Sequence, residues 1–81
     1  MQKGQIVFSK RGRDRGKPFV ILSVEGEYVY LTDGKMRPLC KPKKKKVKHI
    51  QPTNETMELL INVPTGGLTD ADIRKGLLIF V

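Results

Sequence analysis

Apolar and polar positions alternate along the first third of this chain in short bursts, the period expected of strands buried on one or both faces. Ile6, Val7 and Phe8 mark a first strand over about 5–9. A second covers about 18–24, with Val20, Leu22 and Val24 on one face and Phe19, Ile21 and Ser23 on the other. Glu25-Gly26-Glu27 is a tight turn into a third strand, Tyr28 to Thr32, where Val29 and Leu31 alternate with Tyr28, Tyr30 and Thr32. Asp33-Gly34 is a strong hairpin signal, and it predicts a fourth strand over about 36–40 through Met36, Pro38 and Leu39. Proline cannot donate to a ladder, so Pro38 puts that strand at an edge or near its own start. Four short strands joined by tight turns predict a small, highly curved sheet or barrel.

The pattern then changes. In KPKKKKVKHIQP four consecutive lysines offer nothing to a core, and Pro42 and Pro52 bracket the segment. Val47 and Ile50 remain able to pin its end as a fifth strand, while lysines along an edge discourage unwanted pairing. Thr53 or Asn54 is a possible cap for a short helix carrying Met57, Leu60 and Ile61, although Ile61 and Val63 suit extended chain equally well. Pro64-Thr65-Gly66-Gly67 reads as a loop. Thr69-Asp70-Ala71-Asp72 reads as a helix start, with Thr69 as N-cap and two acids favoured by the helix dipole. Gly76 weakens that helix, and the apolar run Leu77 to Val81 is suited to docking on the sheet. The expected organisation is therefore a β-domain over 1–52 and an extension over 53–81 whose short helix packs on it. At 81 residues the chain is one folding unit close to the size where a single core only just suffices.

Charge changes this picture from a scaffold to a surface. The formal net charge is +8 and the sequence pI about 9.9. Residues 10–48 carry 13 Lys/Arg against 4 Asp/Glu, whereas residues 51–81 carry 2 against 4. Segregation of this kind points to a polyanionic partner rather than to solubility alone. Cys40 is the single cysteine, so no intrachain disulfide and no cysteine-based metal site can form. No run has the length of a membrane span or of a signal-peptide core. The expectation is a cytoplasmic protein that needs no cofactor or metal.

Two basic segments stand out. The loop between the first two strands holds Lys10, Arg11, Arg13, Arg15 and Lys17 with Gly12 and Gly16 as pivots. Arginine pairs bidentately with phosphate or stacks on exposed bases, and lysine acts as a point charge. Asp14, the loop's one acid, is suited to shape it by accepting from backbone amides or an arginine. The second segment comprises Lys41, Lys43, Lys44, Lys45, Lys46 and Lys48. If both lie on one side of the scaffold they make one anion-binding surface, with Lys35 and Arg37 bridging them. The plain alternatives are a solvated hairpin tip for the first and a nuclear-import signal or solvated tether for the second. Tyr28 and Tyr30 share a face and can stack bases, but packing against Phe8, Phe19 or the C-terminal segment is the simpler reading. His49 is a lone histidine, structural or phosphate-contacting. GRDRGK fails as a nucleotide-binding loop: Arg11 stands where the earlier glycine is required, Pro18 replaces the Ser/Thr, and a strand follows instead of a helix. No nucleophile–base pair or carboxylate dyad is present, so catalysis is not expected.

These residues resemble the KOW motif of ribosomal proteins and NusG-type transcription elongation factors. Val7 and Ser9 match the inward alternation of its first strand, Gly12-Arg13-Asp14-Arg15-Gly16-Lys17 its glycine-bounded loop, and Val20 and Leu22 its second strand. Pro18-Phe19 replaces the further glycine common before that strand, as in a subgroup of archaeal and eukaryotic large-subunit ribosomal proteins. With LTDGKMRPLCKPKKKKVKHIQPTN included, the chain is similar to small stand-alone bacterial KOW-domain RNA-binding proteins, well over 4–54 and loosely over 68–78. The resemblance implies a mostly β fold, an SH3-like barrel with one or two short C-terminal helices. It also implies binding to structured, ribosomal RNA by a monomer, with ribosomal or transcription proteins as further partners and no membrane. The alternative is a protein-interaction module of the transcription or translation machinery, in which Tyr28, Tyr30 and the apolar C-terminus meet the partner.

Overall fold

The computed structural model describes residues 1–58 and 67–80. They form one antiparallel sheet in the order β4-β3-β2-β1-β5, built from β1 Gln5–Ser9, β2 Pro18–Glu25, β3 Tyr28–Thr32, β4 Lys43–Lys46 and β5 Ile50–Thr56. A 3-10 turn, Val47–His49, joins β4 to β5. One helix, α1 Asp70–Leu77, leads into a second 3-10 turn, Leu78–Phe80. The described residues are thus mostly β with one short C-terminal helix. The sheet is open, because β4 and β5 lie at opposite edges without a ladder between them. No helix among the described residues is long and apolar enough to cross a membrane.

The period-two alternation divides the apolar side chains between two cores. Val7, Phe19, Ile21, Val29, Leu31 and Ile50 fill the concave side, with Val47 against them. Ile6 and Val20, partners across β1 and β2, face the other way and meet Met57, Ile73 and Leu77. The second core exists because α1 covers it. Ile73 and Leu77 are four apart and so share one helix face. Thr69 caps that helix through a reciprocal box: its hydroxyl accepts from the Asp72 amide at 3.2 Å, and the Asp72 carboxylate accepts from the Thr69 amide at 3.0 Å. Gly76 has a use beyond weakening the helix, because a Cβ there would collide with the Met57 side chain that packs against it. Of the apolar C-terminal run, Leu77 is buried and Phe80 half-buried, but Leu78 and Ile79 are 63% and 81% exposed. The run therefore docks only in part.

Three expectations are corrected. Residues 36–40 are not a strand; the fourth strand is the lysine run itself, paired Leu31↔Lys43 through Tyr28↔Lys46. The cause lies in Asp33, whose Oδ1 accepts from the Lys35 and Arg37 amides at 2.8 and 2.9 Å and curls the chain into a loop. The buried Thr32 hydroxyl closes it by donating to the Arg37 carbonyl at 2.6 Å. Secondly, a bulge between Ile21 and Ser23 shifts the register, so Val24 opposes Val29 instead of sharing a face with Val20 and Leu22. Thirdly, Phe19 belongs to the concave core, whereas Tyr28 and Tyr30 alternate with Val29 and Leu31 and so occupy the opposite face of β3. Packing of the tyrosines on Phe19 is thereby ruled out. The fifth strand does not run through Val47 and Ile50 together: Val47 lies in the 3-10 turn, and β5 starts at Ile50 and carries Pro52 within it, which its edge position permits. It also runs through the boundary expected after residue 52. Thr53 and Asn54, expected to cap a helix carrying Met57, lie within β5 instead; Leu60 and Ile61 of that helix, and the loop from Pro64, lie outside the described residues.

Candidate nucleic-acid interface

The loop between β1 and β2 is held by its own backbone. Ser9 and Lys17 meet across its neck, where the Ser9 amide donates to the Lys17 carbonyl at 3.2 Å and the Gly16 amide to the Ser9 carbonyl at 2.9 Å. Two tight turns follow inside, from the Arg15 amide to the Gly12 carbonyl and from the Lys17 amide to the Asp14 carbonyl. Gly12 and Gly16 adopt φ of 78° and 81° with open space where a Cβ would stand, so backbone conformation alone requires glycine. With amides and carbonyls turned inward, the side chains of Lys10, Arg11, Arg13, Arg15 and Lys17 are all exposed.

The lysine strand reaches this loop. In a flat sheet β4 would stand three strand spacings from β1, about 14 Å, beyond the reach of one lysine. Lys45 nonetheless donates from Nζ to Ser9 Oγ at 2.5 Å and to the Arg11 carbonyl at 2.9 Å. The sheet must therefore curl. The Lys10 amide also donates to the His49 carbonyl at 2.9 Å, so the 3-10 turn after β4 joins the same seam. Lys43 and Lys45 pair with Leu31 and Val29, which orients them towards the concave core, and they are half-buried. Their heads escape at its rim, the usual arrangement for lysine over apolar surface. Burial, then the Lys43 ammonium, holds Lys45 below the usual lysine pKa, against the opposing pull of Asp14.

Asp14 sits between the two basic segments. Its side chain is 11% exposed, and Oδ2 lies 3.5 Å from Lys43 Nζ and 3.9 Å from Arg37 Nη2. One carboxylate thus gathers a cation from β4 and a cation from the 33–42 loop under the β1–β2 loop. The sequence indicated that Asp14 shapes its loop; that it does so through β4 depended on pairing no local pattern reveals. Asp14→Asn leaves Arg37, Lys43 and Lys45 mutually repelling without a counter-charge. The expected cost is about 1–2 kcal/mol, above an exposed pair and below a fully buried one, measured by urea denaturation of both proteins.

The thirteen candidate cations do not all meet. Lys43 and Arg37 converge on Asp14, and Lys45 on Arg11. Lys17 and Lys35 line one cleft beside α1. Lys44 and Lys46 turn to the outer face of the sheet opposite Tyr30 and Tyr28, with Lys44 Nζ 4.5 Å from the Tyr28 ring centroid. Lys46 and Lys48 flank a hollow with Glu27 at that end of β4, and Lys41 is exposed in a turn. Alternation along a strand explains the split: neighbouring lysines must face opposite sides. Among the described residues no cluster of three His, Cys, Asp or Glu side chains gathers to hold a metal ion.

His49 reports on the surrounding charge. Partial burial, then Arg11, Lys48, Lys45 and Lys46, holds its imidazole below the usual value. Its folded pKa being depressed, the unfolded chain takes up the proton first, and the free protein loses stability as pH falls below about 6.5. If a polyanion neutralises those cations the His49 pKa rises, and polyanion affinity is then expected to increase from pH 7.5 to 5.5. Anisotropy titrations at both pH values check this, and His49→Gln removes the difference. Neither the models of known protein families nor the curated proteins include a match to this sequence.

Proposed function

We propose that this chain binds structured RNA, ribosomal RNA in the first instance, through the sugar-phosphate backbone, on a scaffold of the SH3-like KOW type. The observation that carries the reading is the seam just described. Five exposed cations project from a loop that is tied by Lys45 and Asp14 to a second basic segment some thirty residues away in sequence. Cations brought together by burying part of their own charge repel one another, and a polyanion relieves that repulsion. A backbone-closed loop loses little conformational freedom on binding, so its phosphate contacts are pre-organised. Support for the barrel-like scaffold comes from five short antiparallel strands and the curl that brings β4 over the end of β1.

The rival reading is a protein-interaction module. Exposed Leu78 and Ile79 favour it, but Leu78 lines a cleft together with Lys17 and Lys35 of the basic segments, which an RNA partner also suits. Ultraviolet crosslinking in cells, followed by sequencing of the attached RNA and mapping of the modified peptides, separates the two. The RNA reading expects crosslinks within residues 10–17 and 43–48. Recovery of proteins but no RNA supports the rival.

A further inference from the structure

A cleft opens where the β1–β2 loop, the 33–37 loop and α1 meet, with a volume of about 230 Å³. Pro18, Met36, Leu77 and Leu78 supply its apolar walls, and Lys17, Lys35 and Arg74 its cations. Met36 is 75% exposed and Leu78 63%, so both present apolar surface to solvent at the cleft. Arg74 is not a loose surface arginine: its Nη1 donates to the Gly34 carbonyl at 2.6 Å, which holds the guanidinium beside the cleft. Asp33 also lines it. That carboxylate spends Oδ1 on two backbone amides, while Oδ2 accepts no hydrogen bond among the described residues.

We infer that this cleft receives one unpaired base of the RNA whose phosphates lie along the basic loop. The inference rests on the proposed RNA reading and names its ligand more closely: structured RNA interrupted by a bulge or loop, not uniform duplex. Lys17 belongs both to the basic loop and to the cleft, so one strand can pass from phosphate contacts to the cleft without a break. An unstacked base has two apolar faces and a polar edge. Met36, Pro18 and Leu78 suit the faces, and the held guanidinium of Arg74 offers a plane to stack upon. Oδ2 of Asp33 is an acceptor only, so it takes a donor from the base edge: the exocyclic amino group of adenine, cytosine or guanine, or the N3–H of uracil. Three cations against one carboxylate exclude an acidic occupant less strongly than a basic one, and they suit the phosphates flanking the base.

The test uses the intact protein and four RNA hairpins of one stem sequence that differ in a single-nucleotide bulge of adenine, cytosine, guanine or uracil, with the fully paired stem as reference. The bulged hairpins are expected to bind about five- to tenfold more tightly than the paired stem, the lower range for stacking of one base. The double variant Met36→Ala with Leu78→Ala changes only exposed side chains. It is expected to erase the bulge preference while leaving affinity for the paired stem unchanged. Equal affinity of the wild-type protein for bulged and paired stems overturns the cleft assignment and leaves phosphate binding standing. A bulge preference that survives the double variant also overturns it. Failure to bind any of the hairpins removes the RNA reading on which the assignment rests.

Discussion

Replacing Arg13 and Arg15 together with alanine is expected to weaken binding to a structured RNA hairpin by about 30- to 150-fold while leaving thermal unfolding unchanged. Each arginine is exposed and neither side chain forms an ion pair or hydrogen bond among the described residues. Truncation therefore removes nothing that holds the loop, whose closure runs through the backbone at Ser9, Gly12, Gly16 and Lys17. A charge-assisted phosphate contact is worth on the order of 1–1.5 kcal/mol in this setting, and two lost contacts give the stated range. Isothermal titration or anisotropy at one salt concentration measures the affinity, and calorimetry the unfolding. If the loop were merely a solvated tip, affinity for RNA would not move. Lys45 gives the complementary case: its ammonium is committed to Ser9 and Arg11, so its truncation is expected to act on stability before it acts on binding.

The largest effect on stability is expected at Gly34, a position that carries no side chain. Its φ is +75°, and a Cβ would lie 2.5 Å from the Asp70 carbonyl oxygen and 3.2 Å from the Arg74 amide nitrogen. Both obstacles are backbone, so no rotamer change relieves them. The 33–39 loop and α1 are further bound by the Leu39 amide donating to Asp70 Oδ1 at 2.7 Å and by Arg74 donating to the Gly34 carbonyl. Gly34→Ala must push α1 outward, and with it Ile73 and Leu77, which cover Ile6 and Val20. Strained backbone and overpacking together are expected to cost about 2–4 kcal/mol, which lowers the midpoint by roughly 10–25 °C in a domain of this size. Gly12→Ala is the control. It shares the positive φ but meets open space, so about 1 kcal/mol is expected there. Equal losses at the two positions would show that contact with the helix contributes nothing.

What the sequence made legible follows from which physical signals are local. β1 and β3 fall where the apolar pattern put them and β2 within a residue, because β3 alternates Val29 and Leu31 with Tyr28, Tyr30 and Thr32 while β1 and β2 carry short apolar runs buried on both faces. The Thr69 cap was equally visible, since its partners lie within one turn. β4 was hidden because a strand of four lysines has no hydrophobic alternation to detect; it forms by pairing with β3 and by laying two lysine stems over the core. Asp33-Gly34 misled because a carboxylate that takes two loop amides competes with the two-residue hairpin the dipeptide usually signals. The approach of the two basic segments was readable as a possibility from composition. The division of Lys43 and Lys45 from Lys44 and Lys46 was not, because it appears only once the run is known to be a strand. The cleft beside α1 had no sequence signal at all, since Pro18, Met36 and Leu78 come from three distant segments.

The dependence of RNA affinity on salt is the most discriminating measurement, because backbone neutralisation by several cations at once leaves a thermodynamic signature that no single contact can mimic. About five phosphates neutralised on a duplex give a slope of log K against log salt near −4 to −5. Between 50 and 200 mM potassium chloride the wild-type protein is then expected to lose affinity by about 250- to 1000-fold, and the Arg13/Arg15 double variant to show a slope shallower by about 2. An affinity that stays constant across that range, or a variant slope equal to the wild type's, contradicts the account.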